Sequence, residues 1–359
     1  MQNIPEKVLL ILIGALLCGC HSPVKVKPAT FAYPDEVIRN DAFIALADRR
    51  IFAVMAFMNA CGFDDEASGT AMHPVRLRVR EAIQMKARDH ADMFAKWKRY
   101  YNRRSLPSYC YMDYALSLSS DYPFHRIRPD HELGYWWPSL LLGNFPKILN
   151  EFWEIVELEE IWAQVKPDYL TEIANYDFNK MARELAFVWE YFRFERKDHF
   201  IFVSVPNLLD SHNFAIGAHY EDYYYAVESP GSHSDGFNTH EYLHSVINAL
   251  MDKHYASQRK KLNAYFIAGK DMPIAKDYGQ PKAYASECLI RALDRRMSLL
   301  MYDTPEAAKH IESMIKRVTH EGLLLTEPFY RLLDEFEKSD LTFEEYLPEM
   351  LKALPEYHD

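Results

Sequence analysis

Cysteine is scarce in this chain, basic residues are outnumbered, and no apolar run is long. The five cysteines among 359 residues fall at no metal-type spacing, so sulfur ligation of a zinc module has no basis here. Lys and Arg number 41 against 52 Asp and Glu, and the formal charge of -11 argues against a nucleic-acid-binding surface. The apolar run from Val8 to Leu17 is only about ten residues, too short to cross a bilayer as a helix. The chain also lacks internal repeats and low-complexity tracts. What it has is apolar bulk: 49% hydrophobic and 14% aromatic residues suffice for a large core in one or two subdomains.

The short apolar run has a different meaning at the N-terminus. Lys7 precedes it, and Leu17-Cys18-Gly19-Cys20 follows, with Leu at minus three, a small residue at minus one and Cys at plus one. This reads as a bacterial lipoprotein signal over residues 1–20, with Cys20 as the acylated first residue of the mature protein. Several acyl chains on one cysteine give stable anchoring to a lipid bilayer. Residues 21–35, with several prolines, read as a tether. The expected location is the bacterial cell envelope, lipid-anchored and facing the periplasm or the exterior. With Cys18 removed and Cys20 committed to lipid, Cys61, Cys110 and Cys288 remain, so at most one internal disulfide can form.

The strongest chemical signal is His240-Glu241-Tyr242-Leu243-His244, an HExxH pentapeptide. Residues four apart on a helix lie one turn up the same face, so both imidazoles can converge on one metal while Glu241 reaches toward a metal-bound water. Leu243, Val246, Ile247 and Leu250 add an apolar stripe that would bury the helix, and Asn238 or Thr239 can cap its start. A catalytic zinc takes three protein ligands and keeps a fourth position open. His254 is about 15 Å further along the same helix and cannot share the ion. A metzincin spacing would need His at position 250, where the chain has Leu250. The remaining candidate is Glu287, on a periodic segment whose Tyr284, Glu287, Arg291 and Asp294 share one face. On spacing alone, a surface Glu paired with Arg291 explains that position equally well.

The two segments together carry a resemblance. Thr239 to Asn248, followed by Ser286-Glu287-Cys288-Leu289-Ile290-Arg291-Ala292, resembles the gluzincin-type pattern of HExxH with a downstream glutamate. More narrowly, the chain is similar to a poorly characterised family of bacterial lipoproteins with an HExxHxxxN helix and a later Glu-x-x-x-Arg-Ala helix. The similarity runs from about Asp35 to Leu341–Pro348 and is specific only in those two helices. It implies a zincin-like region, a Zn2+ cofactor held by His240, His244 and Glu287, Glu241 as general base, and hydrolysis of peptide or protein substrates. The chain departs from many gluzincins four positions after the glutamate, where an acidic residue is replaced by Arg291. Arg291, Asn248 and Asp294 are the candidates for orienting the ligands, and Arg291 could instead contact substrate. His233, Tyr284, His320 and Tyr330 are open choices for stabilising an oxyanion. The alternative from another class is a lipoprotein that uses the same fold as a binding module without catalysis.

The fold class expected is α+β, mostly α-helical: a helical N-terminal region (36–195), a small β-sheet, then the HExxH helix and C-terminal helices (196–355). Helical periodicity covers Glu36 to Ala60, Pro74 to Tyr101, Phe145 to Val165 and Leu170 to Phe194. Phe200 to Val205 and the Tyr-rich run Asp222 to Glu228 read as strands, the second closed by Ser229-Pro230-Gly231. His131-Glu132 imitates half a metal motif, but Tyr135 stands where a second His is needed. Tyr135-Trp136-Trp137 reads as packing rather than a binding surface. The oligomeric state is not encoded in any feature of the sequence.

Overall fold

Segments far apart in the chain meet in one sheet. In the computed structural model, β1 (Ile38–Arg39) pairs antiparallel with β2 (Phe43–Ala45), which runs parallel to β3 (Ile201–Pro206). β3 lies parallel to β5 (Tyr223–Glu228), and β4 (Ala215–Tyr220) joins β5 antiparallel, giving the order β1-β2-β3-β5-β4. From Phe202 to Pro206 and from Tyr224 to Glu228 every residue is buried, as in strands covered on both faces. Gly217 is required by a close approach: a Cβ there would lie 1.7 Å from the Tyr224 hydroxyl, whose ring crosses the neighbouring strand.

The structure describes residues 38–39, 43–64, 72–134, 140–194, 201–212, 215–220, 223–231, 239–301 and 304–357. The expected signal at 1–20 with Cys20, the tether at 21–35, Asn238, His233 and Tyr135-Trp136-Trp137 lie outside them. Helices dominate the rest: Arg49–Cys61, Pro74–Ala87, Ala91–Arg104, Ser108–Leu116, Phe145–Ile155, Leu158–Ala174 and Phe178–Phe192 precede β3. Thr239–His254, Arg259–Gly269, Pro281–Met301, Pro305–His320, Thr326–Lys338 and Phe343–Ala353 follow β5. The protein is therefore α+β and mostly helical. Among the described residues no helix is long and apolar enough to cross a membrane.

The chain divides into two compact units. One takes in Arg49–Phe63 and Arg80–Trp162. Its centre is the helix Arg49–Cys61, in which Phe52 to Met58 are almost wholly inaccessible. Phe57 meets Phe145 and Phe152 edge-on at 5.3 and 5.5 Å, and Trp97 meets Phe152 at 5.3 Å. Such aromatic pairs favour this geometry and contribute about 0.5–1.5 kcal/mol each beyond burial. Buried Arg50 donates to the carbonyls of Leu116 and Leu118 at 3.2 and 3.1 Å, which offsets the cost of taking its charge out of water.

The other unit takes in Val37–Asp48, Asp64–Val79 and Ala163–Asp359, and so contains the sheet and the HExxH helix. Phe202 on β3 stacks with Tyr224 on β5 (6.2 Å) and meets Tyr242 of the HExxH helix edge-on (5.9 Å). That contact seats the helix on the sheet. At the C-terminal end Arg296 bridges Asp334 (2.9 Å) and Glu337, and Thr342 with Glu345 forms a capping box for the last helix. Cys61, Cys110 and Cys288 are all buried and unbridged.

The element boundaries differ from the periodicity reading in four places. Residues expected to begin a helix at Glu36 instead form β1 and β2, and the helix starts at Arg49. Ile44, Ala45, Leu46 and Ala47 are all buried, and a short apolar run covered on all sides has no period that separates strand from helix. The span Pro74–Tyr101 breaks at Arg88–His90, and the span Phe145–Val165 breaks at Glu157, which adopts φ 52°. The span Leu170–Phe194 breaks at Asp177, whose side chain accepts from the Lys180 N–H and restarts the helix. Apolar periodicity runs through such breaks because the flanking helices bury the same kind of face.

Candidate metal centre

The helix Thr239–His254 buries Tyr242, Leu243, Ser245, Val246, Ile247, Leu250 and Met251. Tyr242, at the first variable position of HExxH, is fully inaccessible, and its hydroxyl accepts a 2.7 Å hydrogen bond from Trp189 Nε1. With that face fixed, His240 and His244 emerge one turn apart on the other side, ring centroids 5.1 Å from each other. Each keeps about a quarter of its side chain exposed, at 26% and 23%. Glu241 lies in the first turn between them and is half-buried.

The third group arrives from the helix Pro281–Met301, which packs beside the first. Glu287 is only 5% exposed, with Oε1 3.7 Å from His240 Nε2 and Oε2 3.6 Å from His244 Nε2. One donor atom from each of the three residues falls within a 4.8 Å cluster, and this is the group of metal-capable side chains found among the described residues. The separations exceed hydrogen-bonding distance and sit close to the roughly 3.4 Å donor–donor edge expected of a tetrahedral zinc with bonds of about 2.0–2.2 Å. Two imidazoles and one carboxylate are also the donor types that suit zinc.

The carboxylate is held from behind. Arg291, one turn on, donates Nε–H to Glu287 Oε1 at 2.6 Å. The Tyr278 hydroxyl, just after the short turn Ala275–Asp277, stands beside both Glu287 and Arg291. Burial alone would raise the Glu287 carboxyl, but His240, Arg291, His244 and Tyr278 together hold it below the ordinary carboxylate range. Burial, reinforced by His240, drives the His244 imidazole below its ordinary value against the opposing pull of Glu241, Glu287 and Asn248. An ionised carboxylate and a neutral imidazole are the protonation states a divalent cation requires.

The structure brings His240, His244 and Glu287 together and adds Arg291 against the carboxylate and Asn248 beside the His244 ring. Asp294, two turns beyond Glu287, pairs with Arg295 at 3.3 Å. Tyr284 is committed elsewhere: its hydroxyl donates to the Gly322 carbonyl and accepts from the Leu324 N–H, both at 2.8 Å. Tyr330 lies under the Arg296 guanidinium at 5.6 Å, and His131 and Glu132 are exposed on a short turn. Tyr278 is the site residue that sequence reasoning missed. It precedes the helix in a loop with no periodicity, nine positions before Glu287, so no pattern in the chain marks it.

The chain matches no protein-family profile, no curated protein and no solved structure. The functional reading therefore rests on the residues just described.

Proposed function

We propose that this protein is a membrane-anchored, zinc-dependent metallopeptidase, with His240, His244 and Glu287 as metal ligands, Glu241 as general base and acylated Cys20 as anchor. The observation that carries the reading is the convergence of two Nε2 atoms and one ionised carboxylate from separate helices beside an intact HExxH glutamate. Three protein ligands leave a fourth position open, which separates a catalytic from a closed structural site. When bound, zinc supplies Lewis acidity, lowering the pKa of water toward 7 and polarising a carbonyl.

The chain's own groups would do the rest. Glu241 takes a proton from the attacking water and returns it to the departing amine. Arg291 bonds Glu287 Oε1, and Oε2 faces His244. Asn248, one turn on from His244, is the group placed to orient that ring. β4 is at the edge of the sheet among the described residues and packs near the HExxH helix.

The test is a peptide-library digest read by mass spectrometry, with zinc-loaded wild type beside Glu241→Gln. Cleavage by the wild type and none by the variant supports the reading. A zinc-loaded wild type that binds peptides and cleaves none favours the binding-module alternative. Mass analysis of the membrane-extracted protein and of Cys20→Ser tests the anchor separately, with loss of acyl mass expected in the variant.

A further inference from the structure

Against an overall charge of -11, the helix Ala91–Arg104 carries five cations and one acid. Lys96, Arg99 and Arg103 recur at i, i+3 and i+7, a spacing that sets them in one stripe opposite buried Trp97. Among the described residues no carboxylate pairs with Arg99 or Arg103, and both are exposed. Lys96 reaches Glu151 at 3.0 Å, and exposed Lys147 lies near the same carboxylate. Asp92 is the one acid the helix itself carries, against its five cations.

Beside the stripe two large apolar side chains stand in water. Leu140 is 54% exposed and Leu141 41%, although the chain buries most of its other leucines. They are held where they are: Arg104 Nε donates to the Leu141 carbonyl at 2.6 Å, Tyr100 donates to the Leu142 carbonyl at 2.5 Å, and Gly143 turns the chain at φ 42°. Arg104 in turn lies flat on the Tyr100 ring at 3.3 Å. Basic residues in a last helical turn are explained by the helix dipole, but that account covers neither Lys96 and Arg99 nor the exposed leucines.

We propose that this face of the Arg49–Phe63 and Arg80–Trp162 unit is a contact surface for an anionic lipid bilayer. Lys96, Arg99, Arg103 and Lys147 engage headgroup phosphates while Leu140 and Leu141 enter the acyl boundary. Cations flanking an exposed apolar pair are the complement of that interface, charged at the headgroups and oily just beneath. A nucleic acid would use the cations and leave the leucines in water. The inference stands apart from the metal centre and from the acyl anchor.

The experiment is vesicle co-sedimentation of the mature chain from residue 20 on, carrying Cys20→Ser so that no acyl group contributes. Phosphatidylcholine vesicles are compared with vesicles that also contain phosphatidylglycerol. Each cation near an anionic surface strengthens partitioning by about fivefold, so the double variant R99E/R103E should bind anionic vesicles at least about tenfold more weakly. Added salt should weaken wild-type binding. The double variant Leu140→Ser and Leu141→Ser should bind several-fold more weakly while keeping the salt dependence, with unchanged melting in all forms. Equal binding to neutral and anionic vesicles, no binding to either, or full binding by R99E/R103E would overturn the proposal. So would duplex DNA binding as tight as vesicle binding and indifferent to the leucines.

Discussion

The two helices that meet at the candidate metal centre contribute in opposite ways. Thr239–His254 offers two imidazoles from one face, each about a quarter exposed, and their relation is set by one helical turn. Pro281–Met301 offers a single carboxylate, 5% exposed, whose position depends on Arg291 one turn away and on Tyr278 from a preceding loop. The first contribution is local and survives wherever the helix forms. The second is tertiary: a buried carboxylate needs an oriented cation and a hydroxyl donor in place before any metal arrives. A ligand set built this way is half prepaid by helix geometry and half dependent on packing.

The largest effect should come from Glu241→Gln, which keeps the local geometry and removes the proposed base. The expected fall in kcat is about 10²–10⁴-fold with zinc content unchanged, checked by peptide turnover beside elemental analysis. Next is Arg291→Met, which leaves Glu287 as a buried charge with only imidazoles and Tyr278 beside it. The metal-free variant should be less stable by about 3 kcal/mol, the low end for breaking a buried pair because Arg291 keeps 29% exposure. Bound zinc would take over as the counter-charge, so zinc should raise the melting temperature of Arg291→Met more than that of wild type, read by calorimetry with and without metal. An equal zinc shift in both would mean that Arg291 is a surface partner and not a support for the ligand.

Trp189→Phe addresses the local side. It removes one hydrogen bond to the buried Tyr242 hydroxyl, and denaturant titration should show a loss of about 1–2 kcal/mol with little change in zinc affinity. The smallest effect is on pH. His244 and Glu287 both have folded pKa values below their ordinary ones, so the unfolded chain binds more protons and stability rises with pH. The stability they contribute to the metal-free protein is present above pH 6.5 for the imidazole and above 4.5 for the carboxyl, and is lost as pH falls through the lower folded values. Denaturation midpoints taken from neutral to mildly acidic pH should decline progressively, and His244→Phe should flatten the first part of that decline.

The same division between local and tertiary runs through what could be read in the chain. The shared face of His240 and His244 follows from a four-residue spacing, and the mostly helical α+β character follows from long stretches of apolar period. β3 and β5 show as β-rich runs because their Phe, Val, Ile and Tyr residues suit a covered sheet. β1, β2 and β4 do not show. β2 has three residues inside a uniformly buried run, and β4 reads Ala-Ile-Gly-Ala-His-Tyr, weak in strand formers and dependent on Gly217 making room for Tyr224. At the centre itself, spacing could not distinguish Glu287 as a ligand from Glu287 as a surface partner of Arg291. In the structure it contacts both Arg291 and the histidines, which a choice between the two did not anticipate. Tyr278 was out of reach altogether, because its role depends on where a loop is laid down.

Zinc stoichiometry tests the central claim most directly. Elemental analysis of the mature chain, run beside His244→Ala and Glu287→Ala with folding checked by circular dichroism, should give near one zinc per wild-type chain and none in either folded variant. Zinc retained in Glu287→Ala, or a folded wild type that takes up no added zinc, would contradict the assignment of this His, His, Glu cluster as a metal centre.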